Sequence, residues 1–324
     1  MASEKGVRTF WFFAVIMSTF FCKNVLAVFT IAEGYAVENL YDTSGTYTAI
    51  GGLALDDGKL YFGNWTEIKS LDLAGGGVVS EGTIGENMDI AFVARSSGAT
   101  YTAFSTTLNS PYPYKFGYID SSGSFVQKFI QDGIYDAAVN SQGELYIAAN
   151  PNARGSKIFR YDLAADCLVE IADIGGYTGG LAFDSQDNLY YADQGIYNQR
   201  SGSILKFTPE QISQGQLFVS DAQSVLNITA RHLVFDEMDN LFATSGYGTS
   251  LSHYDIESGI KISDIASTSR LEFIGKLVFQ DDYLYTFTTD YADYFSTIRQ
   301  ITIPEPATII LLGLAGIGLR RSRV

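Results

Sequence analysis

The chain has 324 residues, of which 46% are hydrophobic and 14% aromatic, with 36 acidic and 21 basic side chains. This composition excludes a largely disordered chain and predicts one large domain or two smaller ones. Between Val28 and Pro306 there are 15 basic and 35 acidic side chains, a net charge of −20. A surface this acidic disfavours binding to nucleic-acid phosphates.

The first 27 residues have the organisation of a signal peptide. Lys5 and Arg8 precede an apolar stretch from Phe10 to Phe21, and the segment ends in Val25-Leu26-Ala27. A retained membrane helix is the alternative, but the apolar run is short for a span and ends in a small-residue cleavage pattern. We therefore expect residues 1–27 to direct export through the Sec pathway and to be removed.

A hairpin pattern, made of an apolar run, an acidic polar turn and a second run, recurs six times along the body of the chain. The second runs open with an aromatic residue at Tyr61, Tyr101, Tyr146, Tyr190, Phe242 and Tyr285. A spacing of 40 to 52 residues is typical of propellers and solenoids. A third alternating run follows each copy, at 67–73, 114–120, 157–163, 203–207, 250–256 and 297–303. A more variable fourth run comes next.

Four strands in each repeat, with no helical periodicity between repeats, predict an all-β, six-bladed propeller of four-stranded antiparallel blades. The third run of the sixth repeat leads directly into the C-terminal tail, which leaves no room for a fourth. Residues 36–41 lie upstream of the first repeat and can supply the missing strand. We therefore expect one domain over residues 28–303, closed by its N-terminal strand.

The repeats between Leu53 and Ile303 resemble the blades of six-bladed propellers of the NHL and gluconolactonase-like type. The resemblance implies the same ring fold. For gluconolactonase-like enzymes it also implies a metal bound by carboxylate and Asn side chains in the channel.

One position near the start of each inner strand is expected to face the channel mouth: Gly52, Asp89, Asp136, Gly180, His232 and Lys276. Two carboxylates beside a histidine and a lysine could bind a cation or act as acid and base. However, two glycines and a lysine stand where metal ligands would be useful. We predict no cofactor, with a divalent cation such as Ca²⁺ as the alternative, and no catalytic residue, since the sequence has no nucleophile elbow, Walker loop or zinc motif.

The loops between second and third strands are expected to open on the same face as the channel mouth, which we call the top face. They carry aromatic residues suited to stacking on sugars or contacting peptides, namely Trp65, Tyr112, Tyr114, Tyr197, Tyr247, Tyr291 and Tyr294. The alternative is that these rings pack over blade edges. At the opposite face, the acidic segments 56–58, 184–188 and 236–240 are expected to be hairpin turns rather than calcium loops.

Cysteine usage excludes an intrachain disulfide in the exported chain. Cys22 lies in the predicted signal peptide, so only Cys167 remains. We expect its thiol to be buried on the outer strand of the third blade.

The segment from Pro304 to Val324 contains Pro-Glu-Pro, then thirteen apolar residues, then a basic end. The apolar run is short for a stable span, while the arginines fit a cytoplasmic stop. The segment resembles the PEP-CTERM sorting signal, whose pattern is matched by Pro304, Glu305, Pro306, Arg320, Arg321 and Arg323. The resemblance implies export in a Gram-negative bacterium, recognition by an inner-membrane exosortase, cleavage near Pro-Glu-Pro and delivery to the surface. An ordinary C-terminal membrane anchor is the alternative.

These features predict an exported, non-enzymatic propeller whose top face binds an exopolysaccharide or another surface protein. The alternative is a gluconolactonase-like hydrolase with a metal at the channel mouth.

Overall fold

The computed structural model describes residues 29–43, 49–85, 89–105, 113–151, 155–196, 201–269, 271–290, 292 and 295–304. The predicted signal peptide and the predicted apolar sorting helix both lie outside this set. Within it, no helix is long and apolar enough to cross a bilayer.

The described strands form six sheets, each built around four antiparallel strands, so the predicted six-bladed propeller is confirmed. We number the blades in chain order and give their strands from the channel outwards. Blade 1 consists of Ile50–Asp56, Lys59–Asn64, Glu67–Asp72 and Val78–Thr83. Blade 2 consists of Asp89–Ser96, Ala99–Ser105, Pro113–Ile119 and Phe125–Asp132. Blade 3 consists of Ile134–Val139, Leu145–Ala149, Lys157–Asp162 and Cys167–Asp173.

The second half of the ring repeats this order. Blade 4 consists of Leu181–Phe183, Leu189–Asp193, Ser203–Phe207 and Gln223–Leu226. Blade 5 consists of Ala230–Phe235, Leu241–Ser245, Ser250–Asp255 and Ile260–Ser267. Blade 6 takes Glu272–Gln280, Tyr283–Asp290 and Phe295–Thr302 from the end of the domain. Inner and third strands run from the top face to the bottom face, and second strands run back.

The ring is closed by the N-terminal strand Ala36–Asp42, which pairs antiparallel with Phe295–Thr302 as the outer strand of blade 6. The expected closure is therefore confirmed. A shorter strand, Thr30–Ile31, joins the outer edge of blade 5. The N-terminal segment thus contacts two blades and covers two strand edges that would otherwise be exposed.

Six hydrophobic clusters hold the blades together, one at each interface between neighbours. Successive residues of a strand point to opposite faces, so a second strand buried on both faces serves two interfaces. In blade 3, Ile147 packs towards blade 2, whereas Tyr146 packs towards blade 4. The aromatic residue that marks each repeat in the sequence lies in every case at the interface with the following blade.

An insertion in blade 4 explains the longest spacing between repeats. Between the third and outer strands lie the helix Pro209–Gln214, the strand Leu217–Phe218 and the 3₁₀ turn Val219–Asp221. The Thr208 hydroxyl accepts from Gln211 N, and the Gln211 side chain accepts from Thr208 N, which gives the helix a capping box. Leu217–Phe218 pairs with the outer strand of blade 3 and covers its edge.

The acidic bottom turns are hairpin turns that also link neighbouring blades. In blade 4, Asp184 Oδ1 accepts from Gln186 N and Asn188 N at 3.0 and 2.9 Å. The Ser185 amide and hydroxyl of this turn each donate to the Asp239 carboxylate of blade 5 at 2.7 Å. Ser141 makes the same pair of bonds to Asp187. These carboxylates are therefore used within the fold.

Cys167 begins the outer strand of blade 3 as expected, but its side chain is exposed, so the predicted burial is wrong. Its place beside the turn at the free end of an outer strand leaves it uncovered by a neighbouring blade.

Candidate functional site

The inner strands are irregular at the channel mouth. In blades 1, 2, 3, 5 and 6, the pairing register between inner and second strands shifts near the start of the inner strand. Such a bulge bends the strand and re-aims its side chains, and bulges are common beside functional sites. The side chains around the predicted ring positions therefore do not alternate regularly between the two faces of the strand.

A buried ion pair closes the channel just below this mouth. Lys276 of blade 6 reaches across the ring to Asp136 of blade 3, with Nζ 2.8 Å from Oδ1 and 2.7 Å from Oδ2. The same ammonium donates to the backbone oxygens of Ala137 and Leu181 at 3.2 and 3.4 Å. Asp136 Oδ2 also accepts from Leu181 N at 2.9 Å. This single cation therefore joins blades 3, 4 and 6.

The two glycines of the predicted ring are explained by the close approach of neighbouring inner strands. A Cβ on Gly52 would lie 2.2 Å from Val93 N, and its φ of +69° is rarely adopted by residues with side chains. A Cβ on Gly180 would lie 2.7 Å from Arg231 O and 3.0 Å from Asp136 Oδ2. Side chains at these positions would separate the inner strands, so the ring cannot carry six ligand groups.

The described residues of the mouth do not fit a divalent cation. The Asp136 carboxylate already contacts the Lys276 ammonium, which would repel a second cation at the same oxygens. In the part of the chain that the structure describes, no three His, Cys, Asp or Glu side chains are grouped as a metal site requires.

Below the ion pair the channel contains a cavity of about 260 Å³. It is lined by the inner strands of all six blades, mainly by apolar residues, with Lys276 at its upper end. The lysine thus separates this cavity from the top face.

Above the ion pair lies a group of side chains that we call the top-face cluster: Tyr135, Gln194, Arg231, His232 and Phe273. The Arg231 guanidinium carbon lies 5.1 Å from the Phe273 ring centre and 6.0 Å from that of Tyr135, and its Nε donates to Tyr135 Oη at 2.8 Å. The Tyr135 ring also stacks on His232, with ring centres 5.9 Å apart and planes within 12°. Tyr135, Arg231 and Phe273 are each half-buried.

His232 is a neutral imidazole at the base of this cluster. Its side chain is 9% exposed, and burial, followed by the charges of Arg231 and Lys276, holds its pKa well below the usual 6.5. Its Nδ1 is buried and has no hydrogen-bond partner among the described residues. Burial also raises the pKa of Tyr135, while Arg231 acts against this rise. The cluster therefore combines a neutral imidazole, a protonated phenol and a guanidinium.

The structure brings three of the predicted ring residues together and shows different surroundings for the predicted aromatic residues. Asp136, His232 and Lys276 lie at the mouth as expected, but Asp136 and Lys276 are paired and buried. Tyr247 is 88% exposed on its predicted loop, and Trp65 is half-buried with a φ of +61°. Tyr114 lies within the third strand of blade 2 and is buried in its core, so its assignment to an exposed loop is wrong.

Several predicted residues cannot be placed. The side chain of Asp89 is not described, and the others lie outside the described residues: Tyr112, Tyr197, Tyr291, Tyr294, Glu305, Pro306, Arg320, Arg321 and Arg323. The sequence reasoning missed Tyr135, Arg231 and Phe273. The first two directly precede the ring positions Asp136 and His232, but their exposure depends on bulges that single-strand periodicity does not reveal.

Residues 302–324 match the PEP-CTERM protein-sorting motif. This match confirms the sorting signal in the tail. It implies an exported protein that an exosortase processes and whose C-terminus is associated with the membrane beforehand. No curated protein is similar enough in sequence to count as a match.

Several solved structures are similar to this chain over most of its length. A PQQ-bound aldose sugar dehydrogenase from Streptomyces coelicolor superposes with a TM-score of 0.57 at 14% identity, covering 84% of this chain and 99% of its own. A provisional gluconolactonase gives 0.52 at 11% identity, covering 83% and 93%. Virginiamycin B lyase from Staphylococcus aureus gives 0.52 at 13% identity, covering 86% and 100%. At these identities the similarity shows the fold alone.

Proposed function

We propose that this protein is an exported binding protein whose top-face cluster holds a sugar unit of an extracellular polysaccharide. The observation that carries this proposal is the row of Tyr135, Arg231 and Phe273 at the mouth, with the unpartnered His232 Nδ1 beneath it. Aromatic rings offer apolar faces to the C–H face of a sugar, and the guanidinium supplies fixed hydrogen-bond donors for hydroxyl or carboxylate oxygens.

The location of the cluster also supports binding from the top face. The Lys276–Asp136 pair closes the channel below it, so a ligand would reach the cluster only from above. The exposed Tyr247 lies on a loop whose Gly248 carbonyl accepts from Ile274 N at 2.7 Å, next to Phe273. The contact brings the loop of Tyr247 beside the strand that carries Phe273, which supports a role for Tyr247 in extending the binding surface.

A glycan array with the purified protein tests this proposal. Phe273→Ala removes one of the two aromatic rings beside Arg231. We expect a loss of about 2 kcal/mol of binding free energy, or roughly 30-fold weaker binding to any glycan that the wild type binds on the array. Phe218→Ala is the matched control, because Phe218 is 58% exposed on the outer edge of blade 3, far from the mouth. The Phe218→Ala protein should bind the glycan as the wild type does. Equal binding by both variants, or the absence of glycan binding by the wild type, would contradict the proposal.

The hydrolase alternative makes a different prediction. If the mouth were a metal-dependent lactonase site, wild-type protein would hydrolyse members of a lactone panel and Asp136→Ala would lose this activity. The engagement of Asp136 with Lys276 argues against this outcome.

We further propose that the protein is exported through the Sec pathway of a Gram-negative bacterium and released to the cell surface after cleavage near Pro-Glu-Pro. The two prolines resist helix formation and favour an extended segment that a protease can bind. Glu305→Ala should therefore leave export and folding intact but cause an uncleaved form to accumulate in the membrane fraction. Mass spectrometry of the wild type decides the matter, since a mature C-terminus still at Val324 in an exosortase-containing host would contradict cleavage.

A further inference from the structure

The sorting tail leaves the ring from the bottom face of blade 6. The third strand of this blade ends at Thr302, which pairs with Tyr283 at the start of the second strand. The next residue, Ile303, donates its amide to Asp282 O at 3.0 Å, within the bottom turn of the same blade. Ile303 is therefore fixed to the bottom face, on the opposite side of the ring from the top-face cluster.

Only a short segment separates this point from the predicted apolar run. Pro304, Glu305 and Pro306 lie between Ile303 and Ala307, and four Cα–Cα steps span at most about 14 Å. The polar layer of a bilayer leaflet is about 7 Å thick, which leaves at most roughly 7 Å between the bottom face and the headgroup surface. The opposite face is farther away by the length of a blade, about 20 Å for the six residues of Ala230–Phe235.

The inner turns of the bottom face are rich in carboxylates. The six turns between inner and second strands, all of them described, contain nine carboxylates and no lysine or arginine: Asp57, Glu144, Asp184, Asp187, Asp236, Glu237, Asp239, Asp281 and Asp282. Since the remaining gap is comparable to a Debye length of about 8 Å, anionic headgroups repel this face. The repulsion disfavours direct contact between this face and the lipid.

We propose that, before processing, the protein stands on the membrane with its acidic bottom face towards the bilayer and its top-face cluster away from it. Resting on the binding function proposed above, this orientation leaves the cluster free to engage polysaccharide while the tail is still in the membrane. The orientation itself follows from the exit point and the segment length alone.

Cysteine accessibility on the anchored full chain tests the orientation. In a background with Cys22 and Cys167 replaced by serine, Met238→Cys places a thiol at the bottom of blade 5 and Tyr247→Cys places one at its top, where the native residues are 74% and 88% exposed. Each variant is produced in a host without an exosortase and labelled on intact spheroplasts. Small N-ethylmaleimide measures intrinsic reactivity, and a bulky polyethylene-glycol maleimide measures access.

We expect the ratio of bulky to small labelling to be several-fold lower at Met238→Cys than at Tyr247→Cys in the anchored protein, and equal after processing in an exosortase-containing host. Equal ratios in the anchored form, or protection of Tyr247→Cys instead, would overturn the proposal. If either variant fails to fold, Glu237→Cys and Tyr177→Cys supply replacement reporters on the bottom and top faces. Labelling requires no ligand, so a failure here is distinct from a failure of glycan binding.

Discussion

The substitution Lys276→Met tests the role of the ion pair across the channel. Methionine approximates the length and volume of the lysine stem but removes the ammonium. Asp136 would then keep the bond from Leu181 N at 2.9 Å and lose both contacts to Nζ. Because Asp136 is only 1% exposed, solvent cannot replace the missing partner.

The expected magnitude follows from this burial. Removing one partner of a buried ion pair typically costs about 3–5 kcal/mol, mainly because the other charge is left uncompensated. For a domain of this size each kcal/mol corresponds to roughly 2–4 °C, so the melting temperature should fall on the order of 10 °C. The paired variant Asp136→Asn with Lys276→Met removes both charges and should lose less free energy than the sum of the two single variants.

Urea denaturation followed by circular dichroism, with recovery on dilution as the check of reversibility, measures all four proteins. A loss below about 1 kcal/mol for Lys276→Met, typical of exposed pairs, would refute the conclusion that the ion pair is buried and closes the channel. Strict additivity in the cycle would show that the two side chains do not interact.

Three further predictions concern stability. Burial holds the pKa of His232 well below 6.5, so only the unfolded chain gains this proton as the pH falls. The free energy of unfolding should therefore decrease by up to about 1.4 kcal/mol per pH unit below pH 6.5. His232→Gln should reduce that slope in urea titrations carried down to about pH 5.5. Asp239→Ala should lower the free energy of unfolding by about 2 kcal/mol, because it removes two hydrogen bonds to blade 4 and puts alanine in a left-handed backbone conformation. Asp281 has the same backbone conformation and serves as the control, so Asp281→Ala should cost only about 1 kcal/mol. Equal denaturation midpoints for the two variants would contradict a link between blades. Deleting residues 28–41 removes most of the closing strand and should cost several kcal/mol. Because each kcal/mol corresponds to roughly 2–4 °C for a domain of this size, the melting temperature should fall on the order of 10 °C. An unchanged melting curve would contradict the closure.

The ring could be predicted from the sequence because its determinants are local and repeated. Tyr146 and Tyr190 each begin a second strand, and both pack at the interface with the next blade. The period-2 alternation and the hairpin turns act within a few residues of these positions. The closing strand was also predictable, since the sixth repeat lacked a fourth run.

The arrangement at the mouth could not be predicted in the same way. Asp136 and Lys276 have equivalent positions in two repeats, so the sequence predicted that both lie on one ring. It did not predict that they contact each other, since 140 residues separate them along the chain. The exposure of Tyr135 and Arg231 results from register shifts in their own strands. Both features depend on how six blades close around one axis, and no single repeat contains that information.

The chemistry available at the mouth limits the reactions that this ring could support. Its similarity to solved enzymes extends to the fold, whereas the axis of this channel is crossed by the protein's own ammonium group. A hydrolytic reaction above Lys276 would have to use the neutral imidazole of His232 as a base, the phenol of Tyr135 as an acid and Arg231 to stabilise negative charge. Such activity would be insensitive to chelators, which separates it from the metal-dependent alternative. The same three side chains can also hold a sugar unit without changing it, and this is the function that we propose for the mouth.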